Sequence, residues 1–233
     1  MVKRLAVIPA RGGSKRLPRK NVVEFGGRPM LAWTIEAVRL TNLFDRIFVS
    51  TEDEEIADIA RREGVEVPFL REEFYDDFTP ISQVTIAAVR QLRDSLAEDY
   101  DTVVQLMANC PLRNADDIRT AVEAFDVADA DYQISCVKFG WLSPWWAFKR
   151  DADGRGEWLY PDAVSSRSQD LPPLFAPTGA TWIARVPALE KDGTFYGPDH
   201  RFQPLDWISA IDIDDEDDLK FAKAAHAVRH GLI

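Results

Sequence analysis

The chain has 233 residues, 46% of them hydrophobic, with 13 Phe and 7 Trp, enough for one large α/β domain with at most a small appendage. A net charge of −11 excludes general nucleic-acid binding, and no run approaches the roughly 18 apolar residues of a membrane span. Two cysteines, Cys110 and Cys136, make neither a metal cluster nor a disulfide framework and fit a reducing compartment.

The opening MVKRLAVIPARGG reads as no signal peptide, because its apolar run is short and leads straight into charge, so a cytoplasmic protein is expected. Leu5-Ala6-Val7-Ile8, with β-branched members, reads as a buried parallel strand ending at Pro9. The loop behind it holds Arg11, Gly12, Gly13, Ser14, Lys15, Arg16, Arg19 and Lys20. Adjacent glycines let backbone N–H groups approach an anion closely, and the side chains supply charge. Residues 1–40 carry nine basic residues against Glu24 and Glu36, a net +7 within an acidic chain. That contrast suits a small phosphorylated ligand better than a polyanion; the alternative is a solvated basic loop. The dinucleotide and P-loop glycine signatures are absent.

Eight residues here, Ala10, Arg11, Ser14, Lys15, Leu17, Pro18, Lys20 and Asn21, give the spacing A-R-x-x-S-K-x-L-P-x-K-N. It resembles the corresponding motif of the acylneuraminate cytidylyltransferases, the CMP-sialic acid synthetases. Related enzymes that load Kdo share only its looser A-R-x-x-S-x-R-L-P part.

Further along, Val22–Gly27 is turn-like, and Gly26-Gly27-Arg28-Pro29 opens a helix over Met30–Leu40. Arg46–Thr51 reads as a strand, Asp53–Glu63 as a helix ended by Gly64, and Val65–Leu70 as a third strand. The β-α-β-α-β alternation predicts a doubly wound, mostly parallel α/β sheet with its ligand site at the carboxyl ends of the strands. Asp77, Thr79 and Ser82 could cap the next helix, Ile81–Leu96. The resemblance places a nucleotide-facing serine at Ser82 and a basic nucleotide-binding position at Arg71.

Tyr100–Met107 is the next buried strand, followed by a helix over Asp116–Ala128 and a strand over Tyr132–Lys138. A strand-end glutamine such as Gln105 can read a base or sugar edge through its amide; a surface Gln is the alternative. Gln105, Pro111, Leu112 and Arg113 resemble the family's L-Q-P-T-S-P-L-R. From Phe139 to Pro177 the chain turns aromatic and irregular, with Trp141, Trp145 and Trp146 in six residues. Its aromatics call for burial, either on a second subunit or as a flap on their own domain. The family forms homodimers through such an arm, so the expected organisation is a Rossmann-like nucleotidyltransferase core over 1–138 and 178–233 with a dimerisation arm over 139–177.

Arg167, Gln169, Leu171, Pro172, Gly179 and Ala180 resemble the family's R-x-Q-x-L-P…N-G-A-x-Y. This implies a sugar side made of Gln105, Arg167, Gln169, Thr178, Gly179, Trp182, Phe195 and Tyr196, with the Arg167 fork on the sugar carboxylate. Thr178 and Trp182 replace the usual Asn and Tyr, and Trp145-Trp146 stand where a lysine is usual, which points to an acyl sugar other than plain N-acetylneuraminate.

Ile211-Asp212-Ile213-Asp214 would, on a strand, point both carboxylates one way, suiting Mg²⁺. An acidic helix start explains Asp215–Asp218 and leads into a helix over Leu219–His230. His226 and His230 are expected on that helix's surface. The resemblance implies that Asp212 and Asp214 hold the metal, and that Ala10, Arg11, Gly12, Ser14, Lys15, Lys20 and Asn21 hold CTP. It implies a reaction joining CTP to an acidic nine-carbon sugar, with Arg11, Lys15, Lys20 and Asp212 catalytic and Asp212, acting through water, the candidate base. The alternatives are a Kdo-type cytidylyltransferase, a metal-dependent glycosyltransferase of similar topology, and a non-catalytic nucleotide-binding regulator. No membrane or nucleic-acid partner is expected.

Overall fold

The computed structural model describes residues 2–232 apart from Tyr75, Asp77 and Trp141, so the capping role weighed for Asp77 lies outside the described residues. β1 (Arg4–Pro9) sends alternate side chains to opposite faces. Ala6 and Ile8 pack with α1 (Met30–Thr41), α2 (Glu54–Arg62) and α4 (Ala115–Ala128). Leu5 and Val7 pack with α3 (Ile81–Leu96) and α5 (Val186–Asp192). Burial on both faces is why this strand is continuously apolar.

On either side of β1 lie β4 (Arg46–Ser50) and β5 (Thr102–Gln105), both parallel to it. Beyond β5 come β9 (Phe175–Arg185), β6 (Tyr132–Lys138) and the edge strand β10 (Arg201–Leu205), so the sheet order is β10-β6-β9-β5-β1-β4. Only β9 runs against its neighbours. The chain leaves β1 for β4 on one side and later returns to β5 on the other, which makes the carboxyl ends of β1 and β5 the switch point where such sheets bind ligands. Two helix starts carry capping boxes, Asn114–Asp117 at α4 and Asp215–Asp218 at α6 (Glu216–Arg229).

Four local expectations are corrected. Val65–Leu70 is no strand: Val65 and Val67 are buried, but Pro68 offers no N–H, and Leu70 O accepts from Gln91 Nε2 (3.1 Å) instead of a ladder partner. Gly26 and Gly27 do not open a helix. They form the tip of a hairpin between β2 (Glu24–Phe25) and β3 (Arg28–Pro29), with φ of 57° and 83°, the left-handed pair that a two-residue turn requires. Ile211–Asp214 is irregular rather than a strand, because Ile213 N–H pairs with Asn109 O (2.9 Å) in a loop. His226 is half-buried, its ring set edge-on to Phe25 and Trp33.

A third cluster joins Leu17 of the basic loop, Phe25 of the hairpin, Leu112, Ile213 and the α6 residues Ala222 and Ala225. It anchors the basic loop and the Asp-Ile-Asp stretch to one apolar seat. Between β6 and β9 the chain makes an excursion that carries a separate hairpin, β7 (Phe148–Arg150) and β8 (Gly156–Trp158). Its base is the Lys138↔Phe175 pair of the main sheet. Among the described residues, no helix is long and apolar enough to cross a membrane.

Candidate active site

At the switch point lies a cavity of about 180 Å³. The loop after β1 lines it with Ala10, Arg11, Ser14, Lys20 and Asn21; the segment before and within α3 adds Arg71, Phe74, Asp76, Thr79 and Val84; the loop after β5 adds Met107 and Asn109. Six of the expected nucleotide-binding residues therefore meet at one place: Ala10, Arg11, Ser14, Lys20, Asn21 and Arg71. A wider groove of about 470 Å³ adjoins along α3, sharing Arg71 and Phe74, and its lining is mixed in charge, with Glu72, Glu73 and Asp94 beside Arg71 and Arg90.

The cationic loop is matched by carboxylates of the same chain. Lys20 Nζ donates to Asp214 Oδ1 at 2.7 Å, and Arg16 Nη2 to Asp214 Oδ2 at 2.5 Å. Arg19, in the left-handed region at φ 57°, is paired with Asp53 and Glu55 and holds the Asp53 carboxyl below its usual range. Arg71, buried, meets Glu52 Oε2 at 2.8 Å, while Glu52 Oε1 accepts the Gly12 N–H at 2.7 Å. A Cβ at Gly12 would strike the Asp53 carboxylate, so any larger residue there would push Asp53 off its pairing with Arg19. The Gly12 N–H was expected to face a ligand anion; in the structure a protein carboxylate takes that place. Arg11 Nη1 donates to Asp76 O (3.2 Å), and Asn21 Nδ2 to Arg11 O (2.9 Å), bracing the loop from within. Lys15 is exposed and does not line the cavity.

Asp212 and Asp214 converge without a strand's pleat, because Asn109 Nδ2 donates to both: to Asp212 Oδ1 and, at 3.3 Å, to Asp214 Oδ1. Protein crowding around the carboxyl, then repulsion from Asp214, pushes Asp212 up to about 6 against the pull of Lys20. The residue as a whole is exposed, so water relieves much of that desolvation. For Asp214 burial acts upward too, but hydrogen bonds from Lys20 and Arg16 outweigh it and hold the carboxyl below the usual range. Two hard oxygen donors beside a phosphate-sized cavity fit Mg²⁺, which commonly takes one or two carboxylates and completes its shell with substrate phosphates and water. Among the described residues no group of three or more His, Cys, Asp or Glu could hold a metal, so the ion would depend on the substrate for its remaining ligands.

The expected sugar side is only partly assembled. Gly179 on β9 abuts the aspartates: a Cβ there would lie 2.9 Å from Met107 Cγ and 3.3 Å from Asp212 Oδ2. Trp182 Nε1 donates to Thr178 O (2.6 Å), and its ring meets Phe195 and Tyr196 edge-on at 5.5 and 5.4 Å. Phe195 is fully buried behind Trp182, whereas Tyr196 is exposed. Thr178 is spent on Ser135, and buried Ser82 accepts the Phe195 N–H at 3.3 Å, away from the cavity lining. Gln105 is buried in β5, its Oε1 accepting from Thr85 (2.6 Å) and its Nε2 unpaired; Met107, two residues on, reaches the cavity instead. Arg167 and Gln169 lie exposed on the arm, where Arg167 pairs with Asp170 (2.7 Å). They do not join the cavity of the same chain.

Sequence reasoning missed Glu52, Asp53, Met107 and Asn109. The acidic pair follows a strand's carboxyl end directly, opposite the basic loop, and that placement was the available signal. Arg113, fully buried, gives the β5 loop its shape by donating to Ala180 O (2.5 Å), Met107 O (3.4 Å) and Thr34 Oγ1 (2.9 Å); burial lowers its pKa to about 10.

Residues 5–140 match the family model described as Cytidylyltransferase. The chain is 31% identical over 229 residues to a pseudaminic acid cytidylyltransferase of Campylobacter jejuni, covering 98% of each. It is 34% identical to a CMP-N,N'-diacetyllegionaminic acid synthase of Legionella pneumophila, covering 90% of each. In fold it is similar to a solved CMP:2-keto-3-deoxy-manno-octonic acid synthetase complexed with CTP, with a TM-score of 0.72 over 97% of this chain and 99% of that one, at 15% identity.

Proposed function

The chain belongs to the cytidylyltransferase family, and from that premise we propose that it joins CTP to a nonulosonic acid, a nine-carbon α-keto acid sugar, releasing pyrophosphate. The observation that carries this reading is the cavity at the β1/β5 switch point, lined by Arg11, Ser14, Lys20, Asn21, Arg71 and Asn109, of which Lys20 and Asn109 also bond to the Asp212–Asp214 pair beside it. Pseudaminic and diacetyllegionaminic acids, named in two relatives, lead the candidates for the sugar.

The anomeric hydroxyl attacks the α-phosphorus in line. A bond forms from that oxygen to phosphorus, the bond to the bridging β-phosphate oxygen breaks, and pyrophosphate departs with the electron pair. Arg11 and Lys20 neutralise charge on the phosphates, Lys15 would have to reach them from its exposed position outside the cavity lining, and most of the acceleration comes from positioning. Asp212, with a carboxyl near 6, is ionised at neutral pH yet more basic than an ordinary carboxylate, which suits it to accept the hydroxyl proton through water. Mg²⁺ on Asp212 and Asp214 would offset triphosphate charge. Trp182 and Tyr196 would face the sugar's acyl groups, and the 139–177 arm would form a homodimer that brings Arg167 and Gln169 to a sugar carboxylate. Two free, buried thiols suit the cytoplasm, where CTP is made.

The test is pyrophosphate release from CTP and Mg²⁺ across a panel of nonulosonic acids plus Kdo. Release with one nine-carbon acid is expected. Release with Kdo alone would move the chain to the eight-carbon branch, and silence with CTP bound would leave a nucleotide-binding regulator.

A further inference from the structure

Asp212 and Asp214 lie on irregular backbone, so no pleat dictates how their carboxylates face each other. Asn109 does. It is 2% exposed, and its Nδ2 serves Asp212 Oδ1, Asp214 Oδ1 and Ile213 O (3.0 Å), while its own carbonyl accepts the Ile213 N–H at 2.9 Å. An amide NH₂ has two hydrogens, so three acceptors share them. Set between two like charges, this positive end of a neutral dipole offsets their repulsion and draws in the same oxygen, Oδ1, of each. Lys20 adds a second donor to Asp214 Oδ1.

The Oδ2 atoms are left for other uses. Asp212 Oδ2 faces Gly179, and Asp214 Oδ2 holds Arg16, whose side chain is 66% exposed. Asn109 is itself held by a loop that buried Arg113 fastens to β9 and α1.

We propose that Asn109 is the positioning residue of the carboxylate pair, presenting both Oδ2 atoms to a divalent cation, and that Arg16 is a displaceable placeholder on Asp214 Oδ2. The proposal rests on the assignment of Asp212 and Asp214 as metal ligands made above. A neutral amide suits this task, because a fixed cation between the carboxylates would compete with the ion. Arg16 does compete, but from the solvent side, where leaving costs little. The two residues therefore act with opposite sign.

Mn²⁺ serves as the probe, titrated by electron paramagnetic resonance both without nucleotide and with CTP. Asn109→Ala and the similarly sized Asn109→Leu, which both lack the donor, are expected to weaken Mn²⁺ at least ~10-fold, whereas Arg16→Met tightens it a few-fold without nucleotide. Raising Mg²⁺ should restore most of the turnover lost in Asn109→Ala, a rescue that a general packing defect would not show. Thermal melts identify which variant is folded. A folded Asn109 variant binding Mn²⁺ within twofold of the unmodified protein overturns the proposal and leaves the metal assignment standing. No Mn²⁺ binding by the unmodified protein, alone or with CTP, overturns both.

Discussion

The cleft and the arm meet on β9 and are partnered in opposite ways. In the cleft, Arg16, Arg19, Lys20 and Arg71 are each paired with a carboxylate distant in sequence, so the site is electrostatically closed within one chain. On the arm, the charged pair Arg167–Asp170 is local, while Leu142, Phe148, Trp158, Leu159 and Phe175 stand exposed. Trp145 and Trp146 donate within the arm, to Pro172 O (2.8 Å) and Ala163 O (3.3 Å), with Trp145 half-buried and Trp146 exposed. The outward aromatic pair is Phe148–Trp158, with ring centroids 5.3 Å apart. One region pairs its charges within the chain; the other leaves apolar side chains exposed.

The sharpest way to break this contrast is Lys20→Ala. If Lys20 moves from Asp214 to the phosphates during turnover, its loss should cost at least ~10²-fold in kcat, measured by pyrophosphate release. A loss of only a few-fold would make Lys20 a structural partner of Asp214. On the arm side, Phe148→Ser with Trp158→Ser should weaken self-association at least ~10-fold by light scattering across concentration. An unchanged mass would return the arm to a flap on its own domain.

Proton linkage sharpens the cleft side further. Asp212 is raised to about 6, so below that pH a proton competes with the metal. Mg²⁺ affinity should fall about tenfold per unit as pH drops below 6 and level off above it, measured by calorimetry, with Asp212→Asn abolishing the slope. The smallest effect concerns His226, whose pKa is lowered by burial and by His230. The unfolded chain then takes up the proton more readily than the fold. Stability from this residue is present above its ordinary 6.5 and is lost as pH falls through the lowered value. The melting temperature should drop between pH 6.5 and 5.5 by on the order of 1–2 °C more than in His226→Phe.

Legibility in the sequence also divided along this line. β1 and β4, the helices and the basic loop were readable because burial on both faces, helical spacing and capping are local signals. Val65–Leu70 looked like a strand because alternate valines are buried, yet burial alone does not supply a ladder. Gln105 looked like a strand-end reader; counting residues cannot tell which of positions 105 and 107 faces the cavity, since that depends on where the strand stops and the chain turns. The carboxylates that neutralise the basic loop, Asp53, Glu55 and Asp214, were individually visible, but their pairing is a product of the fold. Asn109 carried no local signal of its role, which exists only because Ile213 is brought beside it.

β9 has one further consequence. It is an eleven-residue strand that pairs with β6 at the arm's base, passes Gly179 through a break in register, and pairs with both β6 and β5 only over Trp182–Ala184. At Gly179 the backbone lies close to two side chains of the cleft, so that an added methyl group would press on Met107 and Asp212. One strand thus ties the base of the arm to the wall of the cleft, with the break in its register lying between the two.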